Sequence, residues 1–203
     1  MTESVIMHYF IRPYDVFLPK FGVMSNAFSP EEVERITFLE ELMSFEKGVV
    51  GPATDGSVNE KARDSEVSFI YPNEQSEWVY QKMGQLIGRA NYDLFMYDID
   101  RLEPMQYTVY RGGNHYDWHF DSFQTYEPLQ RKISGVLCLS DPDEYEGGEL
   151  EVITSGSPDR TEMLRPYKGE VVFFDSQFPH KVHPVTKGVR KTLVFWVMGK
   201  RNG

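Results

Sequence analysis

Two histidine–carboxylate pairs overlap in the stretch HYDWHFD, His115 to Asp121: His115 with Asp117, and His119 with Asp121. A one-residue gap puts two side chains on the same face of an extended strand, so either pair could offer a nitrogen and an oxygen to one metal ion. Alternation does not choose between them, because 115, 117, 119 and 121 would all share a face. A facial triad of two histidines and one carboxylate needs its third ligand from a distant strand. His180 and His183, in FDSQFPHKVHPVTKGVRKTLVFWV, are the candidates, with His8 as an outlying one. Their odd spacing puts His180 and His183 on opposite faces of a straight strand, so at most one is a ligand. The single cysteine, Cys138, excludes an intramolecular disulfide and a multi-thiolate site. Nitrogen and oxygen ligands favour iron, manganese or zinc.

These residues need a scaffold, and the chain divides into two textures. Ser29-Pro30-Glu31-Glu32 reads as a helix start with a capping box, followed by Val33, Ile36, Leu39 and Met43 at helical spacing and Gly48 as a stop. A second helix is expected from about Ser76 to Asn91, with Val79, Met83, Leu86, Ile87 and Ala90 in one stripe. Between them, Gly48 to Glu66 reads as a long loop or hairpin, a lid or a linker, in which Arg63 and Ser65 pass for ordinary loop polarity. After Asn91 come short β-branched and aromatic runs: LFMYDI, PMQYTVYR, HYDWHFD, KISGVLCLS, ELEVIT, TEMLRP, EVVFFD and VRKTLVFWVM. Many short strands without helical pattern between them point to an antiparallel sandwich or jelly roll. The expected fold is mainly β, a jelly-roll core preceded by two helices. It is read as one domain, with residues 1–92 as helical support and 93–203 as the core.

At 203 residues the chain can bury one good core and is short for two. No apolar run approaches the roughly 18 residues that cross a bilayer, and the N-terminus lacks signal-peptide layout. A soluble, cytoplasmic protein is expected. The net charge of −10 argues against bulk attraction to nucleic acid or an acidic membrane.

The stretch Tyr110-x-x-Gly113-x-x-Tyr116-x-x-His119-x-Asp121 resembles the metal-binding strand of the prolyl 4-hydroxylase branch of the iron(II)/2-oxoglutarate-dependent oxygenases. Downstream, Pro179-His180-x-Val182-x-Pro184-Val185-Thr186-x-Gly188-x-Arg190 resembles that branch's second motif, and Leu137 to Val152 resembles the linking segment of bacterial and phage members. The resemblance covers roughly residues 106 to 197 and implies a double-stranded β-helix, cupin-like core. It implies that His119, Asp121 and His180 hold the metal, and it leaves His115 and Asp117 as polar surface or as neighbours behind the ligands. It also implies that Arg190, with Thr192 and Tyr110, binds 2-oxoglutarate, whose far carboxylate needs a cation. Tyr116 and Trp196 are implied to lie near the substrate. In one respect the chain departs from some animal members: Cys138 stands where they carry a tyrosine that touches 2-oxoglutarate.

The implied activity is hydroxylation of a C–H bond, most directly in a proline-containing peptide or protein, with release of succinate and carbon dioxide. The implied cofactors are iron(II), 2-oxoglutarate and dioxygen, and less directly ascorbate. The same chemistry could serve a free amino acid or a nucleic acid, since one site architecture hosts many substrates. A different class of reading is a non-catalytic cupin-like module holding zinc or nickel; a third is an interaction domain with incidental histidines. Arg190 discriminates, because a structural metal site has no need of a buried cation ten residues downstream.

Overall fold

The computed structural model describes residues 18–50, 59–122, 128–154 and 160–200. His8, the turn at 155–158 and the middle of the 48–66 segment lie outside the described residues.

Ser29 opens the first helix: its Oγ accepts from the Glu32 amide at 3.3 Å, and the Glu32 carboxylate accepts from the Ser29 amide at 2.8 Å. Pro30 fills the first turn, where its missing N–H costs nothing, and α1 runs Pro30–Phe38. The α-helix ends before the apolar stripe does, because Leu39–Leu42 tightens into a 3-10 turn and Met43 is extended. That turn lets Phe45 reach the Tyr107 ring edge-on, 5.9 Å between centroids. Helix α2, Glu77–Ala90, buries Val79, Met83, Ile87 and Ala90. The strand expected over LFMYDI does not form. Residues Asn91–Phe95 continue α2 as a π-turn that buries Phe95, Met96 closes it in the left-handed region, and the Asn91 side chain ties both ways to the Tyr97 backbone.

Among the described residues the strands in chain order are β1 Phe21–Met24, β2 Glu46–Lys47, β3 Arg63–Asp64, β4 Glu66–Ile70, β5 Ile99–Leu102, β6 Met105–Tyr110, β7 His115–His119 and β8 Leu129–Cys138. They continue with β9 Tyr145–Gly147, β10 Leu150–Ile153, β11 Thr161–Leu164, β12 Val171–Asp175, β13 His180–Val182, β14 Val185–Gly188 and β15 Arg190–Lys200. The large sheet has the order β1-β12-β8-β15-β6-β4-β2, with β5 added along β15. The smaller sheet has the order β11-β10-β13-β7-β3, and β14 pairs β9 as a short ribbon. Every pairing is antiparallel, as a double-stranded β-helix requires. The strands β1 to β4 show that the first 92 residues supply sheet as well as helix, and the 48–66 segment contributes β3 at the edge beside β7.

The large sheet is covered on both faces. Val171 and Phe173 of β12, Ile133 and Leu137 of β8, and Tyr107 and Val109 of β6 pack with α1 and α2. On the other face Val172, Phe174 and Val136 pack with Leu150, Val152 and Val182 of the smaller sheet. Burial on both sides explains why VVFFD and TLVFWVM read as continuous apolar runs rather than alternating ones. The helices therefore back the sheet, and the space between the two sheets is left for the site.

Candidate active site

The register of β7 decides which histidine faces inward. His180 pairs His119, but Val182 pairs Tyr116, so two steps on β13 match three on β7. The extra residue is a β-bulge at Asp117–Trp118, and it breaks the two-residue alternation. Tyr116 and His119 thereby come to one side, with parallel rings 3.5 Å apart. The expectation that 115, 117, 119 and 121 share a face is therefore overturned by the bulge. His115 turns to the carbonyls of Gly113 and Lys61, at 3.3 and 3.1 Å, and Asp117 is exposed. His183 also faces away, pairing Glu151 at 2.6 Å.

His119, Asp121 and His180 converge, with one ligand atom from each lying within 4.8 Å of the others. His180 Nε2 is 3.4 Å and His119 Nε2 3.9 Å from the Asp121 carboxylate. Each imidazole donates Nδ1–H to the carbonyl two residues back, His119 to Asp117 at 2.8 Å and His180 to Phe178 at 2.9 Å. Those bonds keep a proton on each Nδ1 and turn both Nε2 atoms toward the carboxylate. Burial, reinforced by His180, pushes His119 down to about 3, so its ring stays neutral. Burial opposes a charge on Asp121, but His180, His119 and a hydrogen bond from Ser134 outweigh it and hold the carboxyl well below the usual range. Ser134 Oγ donates to Asp121 Oδ2 at 2.7 Å and lies 2.9 Å from Ser176 Oγ, while the amides of Asp121 and Ser122 both donate to the Ser176 carbonyl.

A cavity of about 470 Å³ opens over these three side chains. Its wall takes every second residue of β15: Arg190, Thr192, Val194, Trp196 and Met198. Arg190 is only 2% exposed, and its guanidinium carbon sits 5.4 Å from the Tyr110 ring centroid. Among the described residues, Arg190 Nε, Thr192 Oγ1 and Trp196 Nε1 are buried without a hydrogen-bond partner. A buried donor left unpaired costs about 1–3 kcal/mol, so three on one wall mark a place built for an acceptor. Gly148 makes room for this cation: a Cβ there would stand 3.0 Å from Arg190 Cδ, and its φ of +67° favours glycine.

Residues 105–198 match the family model of the 2OG-Fe(II) oxygenase superfamily. The matched stretch is somewhat under half of the chain and holds His119, Asp121 and His180. It is 35% identical over 102 residues to a PKHD-type hydroxylase of Teredinibacter turnerae, a match covering 48% of this chain and 44% of that protein. The chain thus spans somewhat under half the length of that curated relative. Its fold is like that of a Pseudomonas putida prolyl-4-hydroxylase, with TM-score 0.66, 23% identity, and coverage of 91% of this chain and 94% of that one. It is also like a prolyl hydroxylase from Trichoplax adhaerens in complex with a hypoxia inducible factor oxygen degradation domain peptide fragment. There the TM-score is 0.72 with 21% identity, covering 89% of this chain and 84% of that one.

Around the triad, Tyr110, Tyr116, Arg190, Thr192 and Trp196 all line the cavity. Burial pushes the Tyr116 phenol up to about 12, so it stays protonated. Cys138 is buried beside Thr192 on the neighbouring strand and is not among the lining residues. Three residues escaped the sequence reading. Ser134 and Ser176 hold Asp121; their signal is a hydroxyl inside an apolar run and a serine directly after VVFFD. Arg63 is not loop polarity: it is 8% exposed, lines the cavity, and lies over the Tyr116 ring. A lone Arg-x-Ser in a glycine-rich segment carries no such signal.

Proposed function

We propose that this chain is a dioxygenase coupling oxidative decarboxylation of 2-oxoglutarate to hydroxylation of a C–H bond, with a prolyl residue of a peptide or protein as substrate. The observation that carries this reading is Arg190 with Thr192, a buried cation and a hydroxyl with unpartnered donors, opening on the same cavity as the His119–Asp121–His180 cluster. A metal that only braced the fold would give no reason to bury a guanidinium with an idle donor, whose desolvation is costly.

The donor set fits iron(II): two imidazoles and one carboxylate on one side, with the cavity on the other. Bound iron(II) would supply the redox chemistry that lets dioxygen react with 2-oxoglutarate. In the overall balance one oxygen atom enters succinate as carbon dioxide leaves, and the other becomes the product hydroxyl. Arg190 would grip the far carboxylate of 2-oxoglutarate, Thr192 would add a hydrogen bond, and Tyr110 would wall that end. Val136, Phe174 and Val194 keep the interior apolar, which limits competing water. A prolyl substrate is supported by Phe69 and Phe120, half exposed on the cavity rim, where an apolar ring could pack, and by the two prolyl hydroxylases of like fold. The chain would act as one cytoplasmic catalytic unit, with α1 and α2 backing the large sheet. Among the described residues no helix is long and apolar enough to cross a membrane.

The test is anaerobic. Iron(II) and 2-oxoglutarate added without oxygen should give a visible metal-to-ligand charge-transfer band. The band should survive His115→Ala, vanish in His119→Ala, and need far more 2-oxoglutarate in Arg190→Ala. Iron bound without any band in the parent would sink the co-substrate half and favour the metal module. Succinate release with proline-containing peptides, free proline and methylated oligonucleotides, with ascorbate as added reductant, then decides the substrate. Turnover only with the last two would overturn the peptide reading.

A further inference from the structure

Arg63 is a buried cation with no part in the chemistry proposed above. Three features hold its guanidinium still. Nε donates to Ser65 Oγ at 2.9 Å, and Nη1 donates to the Val49 carbonyl at 3.0 Å. Gly48 closes over it: a Cβ there would stand 2.5 Å from Arg63 Nε and 2.6 Å from Ser65 Oγ, so only glycine lets the backbone come that near. The Gly48 amide, donating to the Ser65 carbonyl at 2.9 Å, fixes that approach.

The pinned group is applied to Tyr116. Arg63 and Tyr116 are register partners on β3 and β7, and the guanidinium carbon lies 4.6 Å from the phenol centroid. Tyr116 is parallel to His119, 3.5 Å away and 11° from coplanar. One face of a phenol has no room for both groups at these distances, so the ring is sandwiched between guanidinium and imidazole. Such a stack is favourable, because the cation sits over the electron-rich face and both flanking groups are flat.

His119 needs this support. Its hydrogen bond to the Asp117 carbonyl comes from the bulge itself and holds the Nδ1 edge, while His180 meets the ring at 4.1 Å and a tilt of 56°. Neither lies flat against the imidazole, and a flat neighbour is what sets its plane. Resting on the metal site proposed above, we infer that Arg63 is a positioning residue for His119, acting through Tyr116 to set the plane of the imidazole. Anchored by Gly48, Val49 and Ser65, it ties the edge strand β3 to the metal-facing histidine.

Cobalt(II), followed by its visible absorption in anaerobic titrations of the whole chain, reads the ligand geometry without turnover. Arg63→Ala and Tyr116→Leu should each weaken cobalt binding about tenfold or more, the range for residues that orient a ligand. The double variant should be no weaker than the worse single one, because both remove the same stack. Tyr116→Phe keeps the ring and should bind as the parent does. Arg63→Lys keeps the charge but loses the plane and should remain weak. Thermal melting of the metal-free proteins, run alongside, separates positioning from folding, since a purely structural role would lower the melting temperature and leave affinity alone. Parent-like affinity in Arg63→Ala overturns the inference, as do losses that multiply in the double variant or full binding in Arg63→Lys. If Arg63→Ala does not fold, weak Arg63→Lys beside normal Tyr116→Phe supports the stack, and normal Arg63→Lys ends it. A parent that binds no cobalt at all fails the metal site itself, a different result from a parent that binds and an Arg63→Ala that matches it.

Discussion

Tyr116 and His119 lie ring on ring, 11° from coplanar, although three positions separate them on one strand. A regular strand would send them to opposite faces; the bulge opposite His180–Val182 brings them together. The same irregularity turns His115 and Asp117 away from the cavity and makes the Asp117 carbonyl the anchor of His119. One extra residue therefore chooses the histidine, orients it and supplies its flat neighbour.

Ser134 holds the carboxylate as the bulge holds the imidazole. Its hydroxyl donates to Asp121 Oδ2, the oxygen that also faces His180. Ser134→Ala should weaken cobalt binding by roughly tenfold to a hundredfold, because an unanchored carboxylate can turn. In the metal-free protein it should cost about 1.5–3 kcal/mol, the usual worth of a hydrogen bond to a charged group, read by urea denaturation. Unchanged affinity would remove Ser134 from the site.

Arg190 makes a prediction that separates metal from co-substrate. Removing a guanidinium that grips a buried carboxylate costs about 2–5 kcal/mol, so Arg190→Ala should raise the 2-oxoglutarate dissociation constant by roughly thirtyfold or more. Arg190→Lys should fall between, since an ammonium keeps the charge and loses the fork. Cobalt affinity without 2-oxoglutarate should not move in either. Co-substrate binding as tight in Arg190→Ala as in the parent would assign that carboxylate elsewhere.

The helical support should be separable from the chemistry. Ser29→Ala removes the hydroxyl that caps α1 and leaves the Glu32 amide without its partner. A lost N-cap costs typically about 1 kcal/mol, so the urea midpoint should drop while cobalt and 2-oxoglutarate affinities stay as they were. A loss of affinity would mean that α1 transmits strain to the sheet.

Much of this was legible because local rules and tertiary context agree. The cap at Ser29, the stripe of α2 and the runs of β6, β8, β12 and β15 each form within a few residues of where periodicity puts them. The alternation of Arg190, Thr192, Val194 and Trp196 on one face holds along β15. The hidden parts depend on irregularity or distance. A bulge has no composition of its own, so the face of His119 could be reached only through a motif. The burial of Arg63 is made by β3 joining β7 across some fifty residues, and Ser134 and Ser176 acquire meaning only once β8 and β12 lie side by side. LFMYDI failed for the opposite reason: strand-like residues were drawn into the end of α2 because Phe95 has a better burial there.

Cys138 should be chemically silent in the folded protein. Burial pushes its thiol up to about 11, although the Arg190 charge pulls the other way. At pH 8 that leaves about one molecule in a thousand as thiolate, and the sulfur is also shielded from reagents. The native chain should resist a thiol-specific disulfide reagent for hours and react at once in denaturant. The shift also sets a pH dependence. The unfolded thiol titrates near 9 and the folded one near 11, so between those values the unfolded chain has lost a proton that the folded chain retains. Stability then falls as pH rises through that window, and this contribution is level below and above it. Cys138→Ala should lose that part of the slope, measured as the difference between the two proteins' unfolding free energies from pH 8 to 11. Prompt stoichiometric labelling of the native parent, or identical slopes in the two proteins, would mean that the thiol meets solvent.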